Sequence, residues 1–279
     1  MPDRLPEWLT GYLHYPGNGV AFKKLREVLH TRRDPHQPRV ICFAGAGCSM
    51  PPLPGWGQLL SGMRDAALEG VRLFDQRTAI EALPALDSVP GKYLEFAEAL
   101  KKITGPDDFF DLLKTRLTVP LSERAFTRTH AAISCLDVDG VVTTNFDFGL
   151  TKAQQRRFQL EPTLEGRLLD QPCEVGLAAD ACDNIEAWLK DGREFSFGGE
   201  TNAPLYLHGS LVSPKDVVFT ASDYDTFYKV EVGRNPNTGV FFFEQLLGNA
   251  TLVFIGYSFT DPFIDTVLSK VAKRPVWQG

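Results

Sequence analysis

Four short apolar runs in this chain each stop at small or polar residues: VICFAGAGCS (40–49), VVTTNFD (141–147), LYLHGS (205–210) and LVFIGYSFTDP (252–262). A continuous apolar run of this kind reads as a strand buried on both faces, the pattern of a parallel sheet covered by helices. In open α/β sheets ligands bind just beyond the carboxyl ends of the strands, where these runs place their polar residues. A nucleotide site is the first reading that follows.

The rest of the chain fits that frame. RVICFA (39–44) predicts the first buried strand, preceded by a helix at 21–29 and followed by a glycine- and proline-rich loop and a helix near 57–69. Residues 61–135 read as wholly helical, with amphipathic patterns at 92–103 and 106–117. They form a helical insertion over one edge of the sheet rather than an independent domain. Strand patterns return at 139–145, 203–209, 216–221 and 250–258, separated by helices near 148–157, 222–229 and 239–248, with a last helix at 261–274. The expected fold is α/β and Rossmann-like: a mostly parallel sheet with helices on both faces, one domain over 1–279, and the helical insertion at about 61–135. The polar stretch 158–200 carries no assigned element.

With 29 basic and 35 acidic residues the formal net charge is −6, and the only basic clusters are pairs such as Arg32/Arg33 and Arg156/Arg157. A phosphate footprint needs several clustered cations, so no direct nucleic-acid binding is expected of this chain alone. The start, MPDRLPEWLTGY, lacks the basic stretch and apolar core of a signal peptide, and no later apolar run is long enough to span a bilayer; a cytoplasmic protein without a membrane segment is expected. Five cysteines (42, 48, 135, 173, 182) form no CxxC pair, so reduced thiols and no metal are expected.

Each strand end admits two readings. Gly45, Ala46 and Gly47 would let backbone amides approach a pyrophosphate at a helix N-terminus, or would make an ordinary tight strand-to-helix turn. The stretch is neither GxGxxG nor a P-loop. Asn145 and Asp147, two apart around Phe146, would face one way if the strand continued and could hydrogen-bond a ligand. The same residue types also serve turns and helix caps. His208, before Gly209, is either a satisfied structural histidine or a base, because imidazole titrates near working pH. Gly256, Ser258 and Asp261 surround the last strand end, where Thr260 and Asp261–Pro262 also make a good helix start.

Taken in order, GAGCS, TTNFD, LHGS and GYSFTDP resemble the sirtuin-like superfamily, with its GAGxS, T(Q/x)NxD and HG motifs and its late glycine–serine strand end; the resemblance covers about 39–265. It implies a Rossmann-like NAD site. Gly45, Ala46, Gly47 and Ser49 would cradle the pyrophosphate and adjoining ribose, Asn145 would hold the nicotinamide ribose or a water, and Phe146 and Asp147 would bind the carboxamide. His208 would be the base or the partner of a ribose hydroxyl. Gly256 and Ser258 would line the adenosine side with Asp261 beside them, and Trp56 takes the place of a family aromatic in the loop that closes over the cofactor.

The chain departs from the protein-deacylating sirtuins. It lacks their two zinc-binding CxxC pairs, and FGGE (197–200) precedes His208, whereas the peptide-pairing segment of those enzymes follows HG. The text after HG, with GYSFTDP, is similar to a divergent bacterial branch associated with antiphage defence. That likeness implies an NAD glycohydrolase that takes NAD as substrate, uses water in place of an acyl-lysine, and acts as an abortive-infection effector. NAD-dependent deacylation, ADP-ribosyl transfer and a non-catalytic NAD or ADP-ribose sensor are the alternatives. An always-active NADase would deplete its host, so control by a partner protein, a fused domain or homo-oligomerisation is expected.

Overall fold

A computed structural model describes residues 18–31, 38–70, 73–86, 92–118, 126–136, 138–159, 175–176, 204–211, 217–228 and 238–257, with 264, 266, 267 and 269. Among the described residues five strands form one sheet: β1 (Arg39–Ala44), β2 (Gly140–Thr143), β3 (Val175–Gly176), β4 (Leu205–Tyr206) and β5 (Ala250–Ile255). The spatial order is β3-β4-β2-β1-β5 and every pairing is parallel. β1 lies between β2 and β5, Ile41 opposite Gly140 of β2 and Arg39 opposite Ala250 of β5. Its residues from Val40 to Ala44 are all buried, which is why this run is apolar without alternation.

Nine helices occur among the described residues: α1 (Asn18–Thr31), α2 (Trp56–Gly70), α3 (Phe74–Glu81), α4 (Tyr93–Thr104), α5 (Pro106–Leu117), α6 (Arg128–Ser134), α7 (Gly149–Gln159), α8 (Ala221–Tyr228) and α9 (Thr238–Asn249). α5 shows why these segments choose helix. Pro106 occupies the first turn, Asp107 and Asp108 face the positive end of the helix dipole, and Lys114 and Arg116 the negative end. Gly105, at φ 92°, makes the corner that separates α4 from α5.

The core is built in three parts. Phe43 anchors one, its ring 5.1 Å from Phe254, 5.4 Å from Tyr257 and 5.8 Å from Phe243 of α9. Cys42, Ala44, Ile133, Val141 and Leu150 pack a second around α6 and α7. In the third, α2, α4 and α5 bury Leu60, Met63, Phe96, Leu100 and Leu113 together with Phe146, Leu211 and Phe219. Those last three residues follow β2 and β4. The helical layer therefore covers the loops at the carboxyl ends of the strands, not an edge of the sheet, and this placement closes a cavity.

The segment 216–221, expected to be a strand, departs from that expectation within its described part. Asp223 Oδ2 accepts from the N–H groups of Phe219 (3.2 Å) and Thr220 (2.9 Å), removing them from any ladder and starting α8 instead. α4 clamps the same corner: Lys101 Nζ lies 3.1 Å from Asp223 Oδ1, and Glu98 Oε2 accepts from Ser222 Oγ at 2.6 Å and Ser222 N at 3.2 Å. The Ser222 hydroxyl is the main reason that the Glu98 carboxyl is held down to about 2. β4 is shorter than expected, because Gly209 at φ 78° turns the chain and donates to Tyr206 O at 3.1 Å. Within 158–200 only the end of α7 and β3 are described, and of the helix expected at 261–274, Ile264, Thr266, Val267 and Ser269 are helical.

Candidate functional site

The carboxyl ends of β1, β2, β4 and β5 open into one cavity of about 830 Å³. Ala46, Gly47 and Ser49 enter it from the turn after β1, Asn145, Phe146 and Asp147 from the loop after β2, His208 after β4, and Gly256 after β5. Trp56, at the start of α2, lines it as well, with its ring stacked 4.8 Å from that of Phe219. Leu53, Leu59, Tyr93, Leu94 and Leu117 make the opposite, apolar wall. Polar groups on the sheet side and an apolar cover are the usual composition of a small-molecule site. Ser258 and Asp261 lie outside the described residues.

The turn after β1 is a single 3-10 turn, Ala46–Cys48. Its amides largely face inward: Gly45 N donates to Ile255 O and Gly47 N to Gly256 O, both at 2.9 Å, while Cys48 N and Ser49 N bond Gly45 O and Ala46 O. The glycines serve this close approach. A Cβ on Gly45 would sit 2.6 Å from Gly256 O, and one on Gly47 2.9 Å from the same atom. Gly45 therefore supports the cavity from behind, and Ala46 and Gly47 form its floor.

Ser49, Asn145, Asp147 and His130 form one buried network. Ser49 Oγ donates to Asp147 Oδ2 at 2.6 Å and accepts from Asn145 Nδ2 at 3.0 Å, and His130 Nε2 lies 3.3 Å away. The second Asn145 proton goes to Gly45 O at 3.0 Å, and Asp147 Oδ1 accepts from Gly149 N at 2.8 Å, an Asx turn leading into α7. Both readings of the NFD stretch therefore apply to Asp147, which starts a helix and faces the cavity. A serine, a histidine and an aspartate in contact invite comparison with a nucleophilic triad, but the order is wrong. His130 Nδ1 accepts from Thr127 N at 3.3 Å, so the ring proton resides on Nε2 and cannot be received from Ser49.

His208 is buried, with Nε2 2.6 Å from Tyr228 Oη and Nδ1 3.4 Å from Tyr224 Oη. Burial pushes its imidazole from 6.5 down to about 3. Burial also lowers His130, against the opposing pull of the Asp147 charge. Both rings are neutral in the folded protein, whereas an unfolded chain binds a proton on each as the pH falls through 6.5. The stabilisation from neutral His208 is therefore complete above pH 6.5 and is lost on acidification toward pH 3, at up to about 1.4 kcal/mol per pH unit, and His130 adds a loss in the same direction. Urea midpoints between pH 7.5 and 5, above the range where Glu98 titrates, should fall with pH; a level midpoint would mean that these rings are not buried neutral. The thiols of Cys42 and Cys48 are inert by the same physics, with burial raising Cys42 to about 12 and Cys48 to about 11.

Residues 139–275 match the family model described as the SIR2-like domain. Over this stretch the chain is similar to a SIR2-like domain. The match begins one residue before β2 and runs past β5; β1 and the glycine turn lie upstream of it, yet β1 is hydrogen-bonded between two matched strands. The upstream segment thus belongs to the same sheet as the SIR2-like domain, and NAD use is the property that such a domain implies. No curated protein matches the chain. Among the described residues no group of His, Cys, Asp and Glu could hold a metal ion, and no helix is long and apolar enough to cross a membrane.

Three residues at the site escaped the sequence reading. His130 sits in TRTHAAIS, where Thr127 and His130 have the N-cap and N3 spacing of a capping box that more often ends in Glu or Gln. Tyr224 and Tyr228, four apart in ASDYDTFY, share one helix face, which was a visible signal for a paired contact.

Proposed function

We propose that the protein is an NAD glycohydrolase that releases nicotinamide and ADP-ribose and acts as an antiphage effector. The observation that carries this reading is the convergence of Asn145, Asp147 and His208 on one cavity at the strand ends of a SIR2-like domain. The volume suits a dinucleotide, and the residues fit it: carbonyl and carboxylate acceptors on one side, a flat apolar wall on the other. In the reaction the C1′–N bond breaks, nicotinamide departs with the bonding electron pair, and water supplies a hydroxyl to C1′ and a proton to solvent.

Asn145 donates both amide protons to the protein, so it offers Oδ1 to the cavity as an acceptor for a ribose hydroxyl or the attacking water. Asp147 offers a carboxylate to the carboxamide N–H₂. His208, held neutral and bonded to two tyrosine hydroxyls, is a poor proton store at neutral pH. Its role is to fix the hydroxyl of Tyr224, which lines the cavity, so that this hydroxyl orients a ribose hydroxyl or water. Nicotinamide leaves as a neutral molecule, so positioning carries more of the catalysis than acid chemistry does. Control by a regulatory partner, a fused domain or self-association accompanies this reading, since unchecked turnover would drain the host of NAD.

A second reading, a non-catalytic NAD or ADP-ribose sensor, is favoured by one observation: both His208 ring nitrogens already have partners. Nicotinamide release by purified protein, with and without an acetylated peptide, separates the readings. Release independent of peptide is expected. Release only with peptide means deacylation, an ADP-ribosylated protein means transfer, and NAD binding without release means a sensor.

A further inference from the structure

We propose that His130 is a positioning residue that fixes the amide orientation of Asn145 through Ser49, and thereby decides that the cavity is offered an acceptor and not a donor. The inference rests on the glycohydrolase reading for its kinetic consequence, but not for its structural content. Each hydrogen bond in the chain leaves the next group one choice. Thr127 N donates to His130 Nδ1, so Nε2 carries the proton and faces Ser49 Oγ at 3.3 Å. Ser49 Oγ then accepts from His130 and aims its own proton at Asp147 Oδ2, 2.6 Å away. Its remaining lone pair accepts from Asn145 Nδ2 at 3.0 Å, and Gly45 O takes the other Nδ2 proton. A hydroxyl has one proton and two acceptor sites, and all three are used. Asn145 is left with Oδ1 as the only side-chain group to present to a ligand.

His130 itself is held in place. Thr127 Oγ1 accepts from His130 N at 3.1 Å and donates to Cys48 O at 2.6 Å, tying α6 to the turn that carries Ser49. Gly149 gives the ring its space: a Cβ there would lie 2.2 Å from His130 Cε1. Without the Nε2 proton, Ser49 Oγ loses a donor, its own proton is free to turn away from Asp147, and the Asn145 amide can flip. A ribose hydroxyl or water would then meet N–H₂ where it needs an acceptor.

Two variants and two readouts test this on the intact chain. His130→Leu removes the donor, and His130→Gln keeps a side-chain N–H at similar reach. Nicotinamide release by His130→Leu should fall about 10²-fold in kcat with KM for NAD changed far less, and His130→Gln should recover most of the loss. In parallel, imidazole ¹⁵N spectra of the wild type at pH 7 should show His130 neutral with its proton on Nε2, and the Asn145 side-chain N–H₂ signals should shift in His130→Leu but not in His130→Gln. The spectra do not depend on turnover, so they stand if the protein releases no nicotinamide and only the glycohydrolase reading fails. A charged or Nδ1-protonated His130, unmoved Asn145 signals in His130→Leu, or equal kinetic loss in both variants would overturn the proposal.

Discussion

Asn145→Ala should lower nicotinamide release at least about a hundredfold while leaving the fold intact, because it deletes the acceptor at the bottom of the cavity and with it the placement of the ribose or the attacking water. The loss should fall mainly on kcat. Asn145 is buried, but its side chain bonds only Gly45 O and Ser49 Oγ, and Asn145 and Ser49 both line the cavity, where solvent can replace the amide. Steady-state kinetics beside a urea melt of each protein checks this. A variant with near-native kcat would remove Asn145 from the chemistry, and one that fails to fold would mark it as structural.

Gly256→Ala should destabilise the protein by roughly 2–5 kcal/mol, the sum of a left-handed backbone and an overpacked contact. Gly256 has φ 64°, and a Cβ there would lie 2.6 Å from Cys48 N, a backbone atom of the turn after β1 that cannot swing aside. The same turn gives the cavity its floor, so NAD binding should weaken along with stability. Gly248→Ala in α9 is the matched control: a Cβ there meets nothing within 4 Å, and stability should hold or rise by up to about 1 kcal/mol. Urea denaturation of the two variants against wild type measures both. Equal stability for Gly256→Ala would mean that the β1 and β5 ends are not packed as described.

These two residues show which information sequence carries. β1 was legible to its bounds because burial on both faces leaves a run with no polar residue, and helices such as α5 were legible because their caps and charges are local. The strand ends gathered into one cavity for a topological reason: parallel strands put all their carboxyl ends on one side. What was not legible depends on partners distant in sequence. The 217–220 segment has the residues of a strand, and Val218 N does bond His208 O, but Asp223, held by Lys101 of α4, takes the amides of Phe219 and Thr220. The helical layer reads the same whether it covers an edge or the strand ends, since only Phe146, Leu211 and Phe219 tell them apart. Gly45 and Gly47 admitted a ligand-facing or a tight-turn reading, and both apply to Gly47, which lines the cavity while its missing side chain faces Gly256; that of Gly45 is set against Gly256 and Tyr257.

His208 was the residue most open to two interpretations, base or satisfied histidine. Its two tyrosine partners come from α8, sixteen and twenty residues further on, and nothing local in LYLHGS announces them. They make the ring neutral and well oriented. A site of this kind works by holding its substrate and water in line, and its rate should show no His208 titration between pH 5 and 8.

Hydrolysis of NAD is decided by the fate of the water oxygen. Purified protein is mixed with NAD in ¹⁸O-labelled water and the products are weighed by mass spectrometry. Free nicotinamide and ADP-ribose carrying one ¹⁸O at C1′, formed without any peptide, are expected. Intact NAD, or ADP-ribose found only attached to protein, would contradict hydrolysis.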